Sequence, residues 1–230
     1  MAPYDEIISL GNHCRVAYNL RRTFGITRAF PFDWWITPAS SLVAFLDDPS
    51  LDKLYDPQRL APVMNGEKIF AIDNLHYGIQ LQHEFPRGKG GGLVADWPEH
   101  LGAARQRTAY LWDRMVGLMR SDRRILFVRW FADAERRAMK GNGRPTVEAI
   151  RAGLQQLATD AAFELLLADP PEWIDAPGVS TLQVNDRGPG WKGSPDLWRE
   201  RLLGHGIRWT GAPAAMEAAP DPDADREAYA

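Results

Sequence analysis

Apolar and polar positions along this chain alternate between strand-like and helix-like periods. Ile7, Ile8 and Leu10 read as a short buried strand, and Gly11-Asn12 as the turn that ends it. From His13 the pattern is helical, with Val16, Ala17 and Leu20 on one side and Arg15, Arg21 and Arg22 elsewhere. Ala29 to Ile36 is rich in aromatics and interrupted by Pro31, and Ser40 to Leu46 reads as a short helix stopped by Asp47-Asp48-Pro49. Residues 51–68 show no clear period. Lys68 to Ile72 and Tyr77 to Phe85 read as two short strands or a hairpin turning at Asp73-Asn74. Ala104, Thr108, Leu111, Met115 and Leu118 make an inward helical stripe, which feeds the Arg124–Trp130 run of the kind found in buried parallel strands. A second helix starts at Pro145 with Val147, Ile150, Leu154 and Leu157 inward. Strands at Phe163–Leu167 and Ser180–Val184, a helix at Pro195–Leu203 and a short strand at Ile207–Trp209 complete the pattern.

Strands alternating with helices predict an α/β fold. The expected form has three layers, a mostly parallel sheet flanked by helices, with an aromatic-rich insertion after the first strand–helix unit. A papain-like α+β arrangement is the alternative. One domain is expected over residues 1–211, followed by a disordered acidic tail over 212–230. The chain has 230 residues, 45% of them hydrophobic and 25% charged, which is enough for one well-buried domain. In the tail, Glu217, Asp221, Asp223, Asp225 and Glu227 against Arg226 carry −4 of a total of −3, so the body sums to +1. A nearly neutral body gives no support for general nucleic-acid binding. A single cysteine excludes an internal disulfide framework and a cysteine-cluster metal site. With no secretory h-region and no long uncharged apolar run, the expected setting is a reducing cytoplasm, away from membranes.

The candidate chemistry gathers where ligands bind in doubly wound sheets, beyond the carboxyl ends of strands. Asn12 and Cys14 follow the first strand, Trp130-Phe131 the Arg124 strand, Asp169 the Phe163 strand and Asn185-Asp186 the Ser180 strand. Cys14, the one cysteine, falls in the first turn of a helix, where unpaired N–H groups and the positive end of the dipole favour thiolate. A buried, inert thiol is the competing reading.

A cysteine nucleophile needs a base, usually histidine. His13 is adjacent, but neighbours at a helix start point in different directions, so it reads as solvated or capping. His100 and His205 read as surface residues. His83 would share a strand face with Ile79, Leu81 and Phe85, and Glu84-Phe-Pro86 would place it at a mouth.

Weaker signals also stand in the chain. Arg87-Gly-Lys-Gly-Gly-Gly92 lacks the Lys-Ser or Lys-Thr of a phosphate loop and reads as flexible. Arg136, Arg137, Lys140 and Arg144 read as a solvated loop that could also hold an anionic group. His76 and His83 with Asp73 and Glu84 match no metal-ligand spacing, so neither metal nor cofactor is expected. Nine tryptophans, several in loops, fit a non-catalytic carbohydrate-binding or anion-binding module as a competing function.

Ser9-Leu-Gly-Asn-His-Cys14, Pro31-Phe-Asp-Trp34, His83-Glu-Phe85 and Leu126-Phe-Val-Arg129 together resemble a bacterial family of domains of unknown function labelled papain-like cysteine peptidases. The resemblance covers roughly residues 4 to 200. It implies Cys14 as nucleophile and His83 as base, with Asp33 as the orienting carboxylate. Asp186 or Asn185, downstream of His83, would instead restore the usual papain-like order. The implied mechanism is hydrolysis or acyl transfer at an amide, ester or thioester. Gly11 and the Asn12 amide at the helix start would shape the oxyanion site, with Asp186 and Arg129 as further site-shaping residues. The same layout also resembles the first block of Gly-Asp-Ser-type esterases, with cysteine in place of serine, which would imply acylated sugars as substrates.

Overall fold

The computed structural model describes residues 2–211, so the expected acidic tail at 212–230 lies outside the described residues. Its first half runs β1 (Glu6–Ser9), α1 (Cys14–Phe24), β2 (Trp35–Ile36), α2 (Ala39–Asp47), α3 (Leu51–Leu54), β3 (Leu60–Asn65), β4 (Lys68–Asn74) and β5 (Ile79–Leu81). The second half runs α4 (Leu101–Met119), β6 (Arg124–Trp130), α5 (Asp133–Ala138), α6 (Gly143–Leu157), β7 (Ala162–Ala168), β8 (Val179–Leu182) and α7 (Pro195–Gly204).

Four strands form a parallel sheet in the order β1-β6-β7-β8, with Glu6 opposite Ile125, Arg124 opposite Ala162 and Leu165 opposite Val179. Side chains alternate across such a sheet, and the apolar residues divide accordingly. Ile7, Leu126, Val128, Leu166 and Ala168 pack with Val16 and Leu20 of α1 and Trp198 and Leu202 of α7. Ile8, Ile125, Phe127, Leu165 and Leu167 pack with residues of α2, α4 and α6, among them Phe45, Met115 and Ile150. Both faces of the central strand are apolar, which is why Arg124–Trp130 reads as a run rather than an alternation. Where a last strand was expected at Ile207–Trp209, a single parallel bridge joins Trp209 to Tyr4.

The chain between α1 and α4 builds a second, antiparallel sheet in the order β2-β5-β4-β3. It is the aromatic-rich insertion of the sequence pattern. Phe32 meets the rings of Trp35 at 5.4 Å and Phe45 at 5.9 Å, and Phe45 in turn meets Tyr77 and Trp112. The fold is therefore α/β with one parallel and one antiparallel sheet, where a single, mostly parallel sheet was the expectation.

Three elements left no sequence signal. β3 is an edge strand containing Pro62 and has no fully buried position, so no apolar face marks it. α3 and α5 have four and six residues, too few to show a helical period. The hairpin turn also falls later than Asp73-Asn74. Asn74 stays in β4, where its amide donates to Lys53 O and Leu54 O and its Oδ1 accepts from Tyr77 N–H.

The β1–α1 junction is tight. Gly11 and Asn12 both have positive φ, 71° and 75°, and the Gly11 N–H is held by Ser9 Oγ at 3.0 Å. A Cβ at Gly11 would lie 3.1 Å from Phe32 O. Gly11→Ala therefore adds a left-handed backbone cost of about 1–2 kcal/mol to that crowding. Urea denaturation is expected to show a loss of at least that size, whereas Gly25→Ala, with open space around its Cβ, meets only the backbone cost.

Candidate functional site

Cys14 is the first residue of α1 and is 2% exposed. The cap residue, His13, is extended (φ −154°, ψ 154°) and makes no side-chain cap hydrogen bond. Its ring instead brings Nδ1 to 3.4 Å from Cys14 Sγ. His13 thus holds the cap position, half-buried at a cleft, without the capping hydrogen bond, and its ring turns toward the sulfur rather than away from it. The argument from diverging directions holds inside a helix, and His13 stands one residue before it.

Cys14 opens onto a cleft of about 440 Å³ at the carboxyl edge of the parallel sheet. His13, Cys14 and Arg15 line it from α1, Trp130 and Ala132 from the end of β6, and Gly190 and Trp191 from the segment after β8. Phe70 and Gln82 reach it from the antiparallel sheet and the bend that follows.

His83 does not lie on a strand face. β5 ends at Leu81 and residues 82–85 form a bend. The cause is Glu84, which is buried with its carboxylate accepting from Trp35 Nε1 at 2.9 Å and Arg107 Nη2 at 2.8 Å. That pull inward breaks the alternation. His83 packs edge-on against Trp34, 5.9 Å between centroids, one residue from the cleft-lining Gln82.

Asp33, the expected orienting carboxylate, is buried between other partners. Its Oδ2 accepts from Arg21 Nη2 at 2.8 Å and Phe30 N–H at 2.9 Å, closing the Pro31–Asp33 turn onto α1. Burial pushes its carboxyl up, against the lowering effect of Arg21 and the Phe30 N–H. Arg21 also stacks on Trp34, 5.2 Å from its ring centre. Asp33 therefore fixes the turn that leads into Trp34, outside the residues that line the cleft.

Asn12 cannot donate to an oxyanion, because its amide is already committed. Nδ2 donates to Trp130 O at 3.2 Å and to Glu135 Oε2 at 2.7 Å, and an amide nitrogen has two hydrogens. Glu135 is a residue the sequence reading missed. Its Oε1 also accepts from Arg129 Nη2 at 2.7 Å and from Ala39 N–H at 2.5 Å. Arg129 is fully buried and donates Nη1 to Leu10 O at 3.1 Å and Thr37 O at 2.7 Å. Burial draws its guanidinium pKa down, and Glu135 opposes this. Arg129 and Asn12 thus act below the site, holding the turn that presents Cys14.

Asp186 organises the opposite wall. It accepts from Gly188 N–H, Ser194 N–H and Trp198 Nε1, and pairs with Arg15 Nη1 at 3.4 Å. Burial pushes its carboxyl up, but those hydrogen bonds and Arg15 outweigh it and hold the group below the usual carboxylate range. Asp169 does the same for the neighbouring rim, accepting from Val184 N–H, Asn185 N–H and Trp130 Nε1.

Comparison with protein-family models, with curated proteins and with solved structures returned no match. Among the described residues, no helix is long and apolar enough to cross a membrane. Nor do three or more His, Cys, Asp or Glu among them stand together as metal ligands.

Two predictions follow from these walls. Glu135→Gln leaves the Arg129 guanidinium buried without its counter-charge, and urea denaturation is expected to show a loss of about 3 kcal/mol or more. For Asp186, a depressed pKa means its stabilisation is full above the ordinary carboxylate value and lost as pH falls through the folded-state value. The stability difference between wild type and Asp186→Asn is expected to be largest above about pH 5 and to shrink at more acid pH. A pH-independent difference would remove the charged role assigned to Asp186.

Proposed function

We propose that the protein is a cysteine-dependent hydrolase or acyl transferase of the papain-like cysteine peptidase family, with Cys14 as nucleophile on an amide, ester or thioester. The observation that carries this is the Cys14 sulfur at a helix start, on a 440 Å³ cleft, with an imidazole nitrogen 3.4 Å away. An imidazole takes the thiol proton and the thiolate attacks the carbonyl carbon. The oxyanion meets the N–H groups that open α1, since the first N–H groups of a helix have no intrahelical acceptor. Collapse of the tetrahedral adduct breaks the bond to the leaving group, which takes the proton back from the imidazolium. Water or another acceptor then attacks the thioester at Cys14 and releases the acyl group. Two histidines are assigned to this proton transfer. His13 is the one at contact distance, and His83 is the base implied by the family resemblance.

The setting of the nucleophile favours a three-layer α/β reading over a papain-like α+β one. Cys14 follows the first strand of a parallel sheet at its carboxyl edge, as in the Gly-Asp-Ser-type esterase layout, and an acylated sugar is the substrate of that second reading. A cytoplasmic setting without membrane or nucleic-acid partners belongs to the same proposal.

The test is the pH-dependence of iodoacetamide alkylation at the one thiol, in wild type, His13→Ala and His83→Ala. An apparent pKa below the ~8.5 of a free thiol is expected, rising in the variant that removes the serving base. An ordinary or raised value, unchanged in both variants, would make Cys14 structural and leave a carbohydrate-binding or anion-binding cleft.

A further inference from the structure

We infer that the Cys14 cleft selects a carbonyl compound bearing an uncharged, flat or apolar group, held against Trp130, Trp191 and Phe70. This rests on Cys14 being the nucleophile. The three rings come from three separate parts of the chain, the end of β6, the segment after β8 and β4, yet all line the same cavity as the sulfur. Phe70 is 38% exposed there, with the Arg87 guanidinium 5.8 Å from its ring centre, and the rest of the ring loses water contact only when something covers it. The volume suits a ring-sized substituent beside the reacting carbonyl.

The Trp130 indole and the Arg15 guanidinium are turned to other tasks. The Trp130 indole N–H donates to Asp169 Oδ2 at 3.1 Å. Arg15 is the cation in the lining, and it is balanced by Asp186. Its Nε donates to Trp191 O at 3.2 Å, its Nη2 to Gly190 O at 2.5 Å, and its guanidinium lies 5.1 Å from the centre of the Trp130 ring. An incoming carboxylate or phosphate would compete with Asp186 and two carbonyls for those donors. Lys192 is spread over the Trp191 and Tyr18 rings at 5.3 and 5.4 Å. Trp191 is also braced edge-on by Tyr18, with centroids 5.0 Å apart. The cleft offers aromatic surface, and the cation that lines it, Arg15, is paired with Asp186, which suits an apolar group better than an anion.

The thiol itself reports on this. In each alkylation the thiolate displaces iodide and an S–C bond forms, so three reagents differ only in what they bring into the cleft. Rates at Cys14 in the full chain are measured with iodoacetamide, iodoacetate and N-benzyl-iodoacetamide, each divided by the rate with glutathione at the same pH. The benzyl reagent is expected to exceed iodoacetamide by about five- to tenfold, with iodoacetate at or below it. Trp191→Ala is expected to bring the benzyl ratio towards one, and Trp191→Phe, which keeps a flat ring, to retain most of it. Equal normalised rates for all three reagents, or iodoacetate as the fastest, would overturn the inference. A thiol of ordinary pKa would instead sink the nucleophile, and the reagent ratios would still report on the walls, so the two failures are distinct.

Discussion

The Arg129–Glu135 ion pair is the interaction on which the rest of the site depends. Arg129 sits on the central strand with no exposure, and a guanidinium there needs each of its bonds. Those bonds run to Leu10 O at the end of β1 and Thr37 O just after β2, while Glu135 comes from α5. Through the same carboxylate Glu135 takes the Ala39 N–H that opens α2 and the Asn12 amide close to Cys14. One buried pair therefore ties the parallel sheet, the antiparallel sheet and the β1–α1 turn together. Removing a member leaves an uncompensated charge, which costs several times what an ordinary surface pair contributes.

The pair matters because of what the turn must do. Cys14 lines the cleft while staying 2% exposed. The helix start and the imidazole of His13 beside the sulfur are both set by the two left-handed residues, Gly11 and Asn12. Gly11 meets that conformation without a Cβ; Asn12 meets it with a side chain fastened at Trp130 O and Glu135. The price of an orderly thiol is local strain, held in place by the buried pair.

Legibility in the sequence followed burial. β1, β6, β7 and α1, α6 and α7 could be read because each buries a regular set of apolar positions, and Cys14 could be placed because β1 and α1 flank it. α5 could not, since six residues, four charged and two alanines, carry no period, and with it went Glu135, which stands just before the basic stretch from Arg136 to Arg144. His83 was read onto a strand because Ile79, Leu81 and Phe85 alternate, whereas Glu84 spends its burial on Trp35 and Arg107 and breaks the strand. Asp33 and the Asn12 amide have the right chemistry for a catalytic role, but their hydrogen bonds are taken by neighbours distant in sequence. Such commitments are properties of the folded chain that no spacing encodes.

The rim of the sheet follows one rule. The non-glycine residues of positive φ among those described are Asn12, Asp169 and Asn185, and they follow β1, β7 and β8. Each is fastened by a buried or largely buried carboxylate: Glu135 takes the Asn12 amide, and Asp169 takes the Asn185 N–H while carrying positive φ itself. A left-handed residue costs about 1–2 kcal/mol, and a hydrogen bond to a charged group contributes about 1.5–3 kcal/mol. With more than one such bond per carboxylate, the bonds outweigh the strain and the rim holds a single conformation. Asp169 also fixes the Trp130 indole, and Asp186, one residue past Asn185, fixes both Trp198 and the segment carrying Trp191. The carboxylates beneath the cleft thus set the positions of its aromatic walls without facing the cavity themselves. The aromatic walls and the placement of Cys14 consequently share one set of buried charges, and a change at Glu135, Asp169 or Asp186 reaches the cleft through geometry rather than contact.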